Sequence, residues 1–266
     1  MRLKISHTTS YRFADPVRSG LQQLRMTPLE QVNQKIVNWS VSITGGTEQL
    51  FFHDHFGNRV DLISLDADVT EVTITCGGEV EISDTHGVMG RHFGSTPLWL
   101  YRRPTDRTAA GQGIRRLARQ AEGDSDLDRM HALMKLVGEA VEYTPDASDP
   151  DWTAEEALQE GKGVCQDHAH VFIACARDMK LPARYVSGYL MMDDRTEQEA
   201  MHAWAEVHLA DLGWVGFDVS NGISPDTRYV RVATGLDYSD AAPVIGTRIG
   251  GKDEDLHVEI EVAQQQ

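Results

Sequence analysis

Apolar residues alternate with polar ones through most of the first 85 residues and then recur every three or four. That change of period limits the chain to folds that pair a sheet with helices. Leu3, Ile5, Tyr11 and Phe13 open the alternation, and the runs Ile36–Ile43 and Val69–Thr75 continue it. Gly45-Gly46, Gly57-Asn58 and Gly77-Gly78 read as turns between strands. The expectation is an antiparallel sheet unit with Phe51, Phe52 and Phe56 as core aromatics. Residues 86–107 are rich in glycine, proline and arginine and read as a connector.

Helical spacing follows in Ile114, Leu117, Ala118 and Ala121, and again from Leu127 through Met130, Leu133, Met134, Val137, Ala140 and Val141. Thr153-Ala154-Glu155-Glu156 has the form of a capping box. A further helix is expected from Cys165 to the break at Leu181-Pro182. Strands are expected at 183–192, 202–210 and 213–220, with a last one at 256–262 after a glycine-rich stretch. The fold class is α+β, with an N-terminal antiparallel β domain and connector over 1–107 and a second domain over 108–266.

The most definite chemical signal lies in the second domain. Gly161-Lys162-Gly163-Val164-Cys165 runs straight into an apolar helical segment. A thiol in the first turn of a helix meets unpaired N–H groups and the positive end of the dipole, both of which favour the thiolate. The same N–H groups are candidates to hold an oxyanion. The strands expected at 202–210 and 213–220 are joined by a tight turn, and folding them together brings His202 within a residue or two of Asp218 on a compatible face. Asp218 can then accept from one imidazole nitrogen while the other faces the sulfur. A lone cysteine before an apolar helix is ordinarily a core residue, and any one of 11 histidines says little. Their joint placement points to nucleophilic acyl transfer with Cys165, His202 and Asp218 as a catalytic triad.

These residues also carry a resemblance. Gly161-x-Gly163-Val164-Cys165-Gln166-Asp167-x-x-His170, Pro182-Ala183-Arg184-Tyr185-Val186-Ser187-Gly188-Tyr189, His202-Ala203-Trp204-Ala205-Glu206 and Gly213-Trp214-Val215-Gly216-Phe217-Asp218 resemble the bacterial branch of the transglutaminase-like superfamily of papain-type cysteine enzymes. Tyr11-x-Phe13-x-x-Pro16-Val17 through Phe56-Gly57-Asn58 resembles the β-rich N-terminal domain of that branch, and Gly235–Val244 resembles its tail. The resemblance implies a papain-like core of helices on an antiparallel sheet. It gives Cys165 the nucleophile's role, His202 that of general base and acid, and Asp218 that of orienter. The family usually has proline and threonine after the aspartate, where Val219-Ser220 stand here, and Leu236 stands where many relatives carry arginine.

The expected reaction is hydrolysis of a peptide or other amide bond through a thioester, since nothing in the sequence builds an amine-acceptor site. Transfer to an amine, as in a protein-glutamine transglutaminase, is the alternative. A non-catalytic binding module on the same fold is the rival class. Gln166, beside the thiol, is a candidate oxyanion donor, and Trp204, two residues from His202 along the strand, a candidate cleft wall. Asp167, His170 and Asn221 are candidates to support the site from behind. His168 and His170 point about 200° apart on a helix and cannot share a metal. His53-Asp54-His55 lacks a clear third ligand, so neither metal nor cofactor is expected.

Bulk properties bound the partners. The net charge is −16, from 41 acidic and 25 basic residues, which disfavours nucleic acid. No apolar run approaches a membrane span, and the N-terminus alternates where a signal peptide would be continuously apolar. Three cysteines without framework spacing fit a reducing compartment, and a cytoplasmic protein is expected. Cys175 lies about 15 Å along the same helix from Cys165 and is expected to be a core residue. The oligomeric state is not legible.

Overall fold

The computed structural model describes residues 1–145, 147–149 and 151–265. The alternating region forms an eight-stranded antiparallel sheet organised around one long strand, β1 (Arg2–Leu24). Leu3, Ile5, His7, Thr9, Tyr11 and Phe13 are all buried, so the two-residue period read from the sequence is the inward face of β1. β2 (Gln34–Thr44), β3 (Gly46–His53), β4 (Arg59–Leu65) and β5 (Val69–Ile82) complete the N-terminal part. The first half of β1 pairs with β5 and its second half with β4, and register shifts after Arg12 mark the bend between them.

Phe51 and Phe52 are not core aromatics, being 54% and 38% exposed. β3 is the outermost strand on its side of the sheet, and solvent reaches both its faces. Phe51 instead carries the Arg59 guanidinium 4.3 Å above its ring. Phe56 is half-buried, with its ring 5.9 Å from that of Tyr101.

The connector contributes one short strand, β6 (Val88–Gly90). Four helices follow: α1 (Gln112–Ala118), α2 (Asp126–Ala140), α3 (Ala154–Glu160) and α4 (Cys165–Asp178). The capping box at Thr153 is formed, with Thr153 Oγ1 accepting from Glu156 N–H and Glu156 Oε2 accepting from Thr153 N–H. Between these helices, β7 (Glu142–Tyr143) and β8 (Lys162–Gly163) make a short parallel pair leading into α4. β9 (Ala183–Leu190), β10 (Glu197–Gln198), β11 (His202–Leu209), β12 (Gly213–Phe217) and β13 (Tyr229–Gly235) come next. The second sheet has the order β13-β9-β11-β12-β6, and α4 packs on it as the central helix of the largest apolar cluster.

After a single turn, α5 (Tyr238–Ala241), the chain returns to the first sheet. β14 (Val244–Gly250) and β15 (Asp255–Gln264) both pair with β1, and β10 pairs with β15. The first sheet therefore draws on both ends of the chain. The glycine-rich stretch ahead of the last expected strand holds β14, a strand exposed from Ile245 onward and so without an alternating signature.

The two sheets share a core. Leu3, Ile5, Val80 and Ile82 of the first cluster with Tyr189, Val230 and Val232 of the second. Two side-chain amides close the free edge of β13. Gln34 exchanges two hydrogen bonds of 2.9 Å with the N–H and C=O of Arg231. Asn58 does the same with Thr234, at 2.7 and 2.8 Å. Each amide mimics a strand neighbour, leaving a buried sheet edge satisfied.

Candidate active site

Cys165 is the first residue of α4, held there by the chain before it. Gly161 ends α3 at φ 67°, a left-handed conformation that favours glycine. Gly163 answers a different need, because a Cβ there would stand 2.7 Å from Cβ and Oδ2 of Asp167. Asp167 Oδ2 accepts from Val164 N–H at 2.8 Å, the reciprocal half of a capping box without a side-chain acceptor at the cap. Asp167 is buried and does not touch the thiol through any hydrogen bond shown among the described residues; it fixes the helix start. The first helical bond runs from His168 N–H to Val164 C=O, so the N–H groups of Cys165 and Gln166 are not consumed by the helix.

The sheet brings the other two groups to the thiol. β11 and β12 pair with Ala205 opposite Phe217, which places Asp218 just past the end of its strand and beside His202. His202 Nε2 lies 2.6 Å from Asp218 Oδ2. The other ring nitrogen, Nδ1, is not engaged by Asp218, and Cys165 stands close enough to the ring to help raise its pKa. Cys165 and His202 open on one cavity, and Cys165 is only half-buried.

Burial opposes a charge on His202, but the Asp218 carboxylate and the hydrogen bonds to Asp218 and Cys165 outweigh it and raise its pKa to about 10. Burial likewise opposes ionisation of Asp218, yet His202, Asn221 and Tyr229 together hold its pKa below the usual carboxylate value. The arrangement favours an imidazolium next to an ionised aspartate.

Asn221 reaches Asp218: its Nδ2 donates to Oδ2 at 2.7 Å and its N–H to Oδ1 at 3.3 Å. Tyr229, which the sequence did not single out, donates its hydroxyl to Asp218 Oδ2 at 2.7 Å. It sits on β13, two strands from β11, and no local pattern links it to Asp218. Trp204 is buried, with its ring stacked 6.2 Å from His202, and it packs the imidazole from below. Gln166 lines the cavity beside Cys165.

His170 is fully buried. Its Nε2 accepts from Tyr238 N–H at 3.1 Å, and burial lowers its pKa to about 3. His168 donates from Nε2 to Val141 C=O and accepts at Nδ1 from Ser220 Oγ. Cys175 and Cys76 are buried thiols; burial pushes Cys76 up to about 11, and Cys175 further. Among the described residues, no three histidine, cysteine or acidic groups are placed to hold a metal ion.

A cysteine opening a helix against an antiparallel sheet, with an imidazole–carboxylate pair on that sheet, is the papain-like arrangement of cysteine enzymes. The family profile of the transglutaminase-like superfamily matches residues 115–219, and that of the bacterial transglutaminase-like N-terminal region matches residues 3–81. The chain thus joins a bacterial transglutaminase-like N-terminal region to a core of the transglutaminase-like superfamily.

An uncharacterized protein of Mycobacterium leprae is 26% identical, the match covering 99% of both chains. One from Mycobacterium tuberculosis is 27% identical over 92% of this chain and 87% of its own. Among solved structures, a candidate cysteine protease from Cytophaga hutchinsonii has the same fold, with a TM-score of 0.77 at 21% identity over 100% of this chain and 92% of that one.

Proposed function

We propose that this protein is a cysteine-nucleophile acyl-transfer enzyme that hydrolyses an amide or peptide bond. The observation that carries this reading is the 2.6 Å contact of His202 Nε2 with Asp218, beside a cavity that also opens on the half-buried thiol of Cys165. Cys165 as thiolate attacks the acyl carbon, and the backbone N–H of Cys165 and the side chain of Gln166 are the candidate donors to the oxyanion. His202 gives its proton to the departing amine as the C–N bond breaks, leaving a thioester on Cys165. The neutral ring then takes a proton from water, whose oxygen attacks the thioester and releases the acid. Asp218 keeps the ring oriented and stabilises its charged form throughout.

Transfer to a primary amine differs only in the second nucleophile. Incubation with a glutamine-containing peptide, with and without a primary amine, separates the two by product mass. Hydrolysis predicts free acid in both, and conjugate without free acid would overturn it. A Cys165 alkylated by iodoacetamide no faster than glutathione at pH 7 would instead favour a binding module.

A further inference from the structure

Two cavities meet at His202. One, of about 490 Å3, is shared by His202 and Cys165 and is walled on its far side by β1 and β15 of the first sheet. The other, of about 340 Å3, is lined by His202, Asn221 and the chain after β9, but Cys165 does not reach it. The chemistry proposed above divides a substrate between them. The acyl carbon must bond to the sulfur and so lies in the first cavity. The leaving amine must take its proton from His202 and can extend into the second.

From this division, which rests on the proposed function, we infer that the first sheet builds the acyl-binding pocket and that this pocket selects uncharged acyl groups with apolar or aromatic bulk. Tyr11, Leu256 and Val258 from the sheet face Tyr185, Tyr238 and Met201 from the catalytic core across the space. Apart from His202 at the reacting end, its charged lining is acidic, Glu199 and Glu254, and no lysine or arginine lines it among the described residues. Glu254 is paired with Arg248, whereas Glu199 has no ion-pair partner among the described residues. An anionic acyl chain would lose its hydration here and meet like charge. Leu256 is 52% exposed and lines the cavity, so its side chain is accessible to a ligand there.

p-Nitrophenyl esters test this with the full-length chain, because only the acyl group varies and the release of nitrophenolate reports thioester formation. The 3-phenylpropionate ester should acylate Cys165 at least 10-fold faster than the acetate, and the succinate monoester more slowly than the acetate. Leu256→Glu should erase the phenylpropionate advantage. Glu199→Arg should raise the succinate rate several-fold. Both positions are exposed, and circular dichroism would check that both variants fold. A burst indifferent to the acyl chain and to both substitutions would overturn the acyl-pocket inference alone. No burst with any ester, together with no alkylation of Cys165 by iodoacetamide, would remove the cysteine-nucleophile reading and this inference with it.

Discussion

Asp218 has no exposed surface, and its Oδ2 meets His202, Asn221 and Tyr229 at 2.6–2.7 Å. A buried carboxylate so surrounded stays ionised and holds a positive charge on the ring beside it. His202, raised to about 10, contributes stability fully below its unfolded value near 6.5, and this is lost as pH rises through 10. Asp218, lowered, contributes above about 3.8 and loses its share as pH falls. The alkaline limb of kcat/KM should therefore fall near pH 10. Asp218→Asn should move it to lower pH, because only Cys165 then opposes the effect of burial on His202; a pH–rate profile of both proteins checks this. Tyr229→Phe removes one hydrogen bond to a charged acceptor, about 1.5–3 kcal/mol, so roughly a 10- to 100-fold loss in kcat/KM is expected. The sequence pointed to Cys165, His202 and Asp218 because helix start and hairpin are local patterns. Tyr229 escaped it because a contact across two strands is set by sheet order.

At the scale of elements, α4 places the thiol, and its start depends on a carboxylate folded into the space that Gly163 leaves. Gly163→Ala would put a methyl group 2.7 Å from Asp167 and force either the cap or the chain ahead of Cys165 to move. Loss of the cap costs about 0.5–2 kcal/mol. The expected outcome is a lower melting temperature together with slower alkylation of Cys165 by iodoacetamide; an unchanged alkylation rate would show that the helix start does not position the sulfur. The elements themselves were largely legible. Thr153 announced its cap, and α4, β9, β11 and β12 begin at or next to the expected residues. Two of the failures share a cause. Phe51 and Phe52 lie on an edge strand, and β14 is exposed over most of its length, so neither carries the inside–outside contrast that alternation encodes.

At the scale of the whole molecule, the first sheet cannot close without the last strands, and the second cannot satisfy its edge without the first. β15 lies against β1 over the register from Leu3–Gln264 to Arg12–Asp255, after the chain has already passed through the transglutaminase-like core. Gln34 and Asn58 meanwhile complete the hydrogen bonding of β13, and Tyr229 on that strand reaches Asp218. Substituting Asn58 by alanine would strip Thr234 of both backbone partners in a buried place. A buried group left unpaired costs about 1–3 kcal/mol, so Asn58→Ala should unfold at lower denaturant concentration with an unchanged slope. Because one apolar cluster spans both sheets, heat should unfold the protein in a single calorimetric transition, and Asn58→Ala should shift that whole transition downward. Two transitions, of which Asn58→Ala moved one, would mean that the sheets unfold separately and that β13 is anchored by its own core alone.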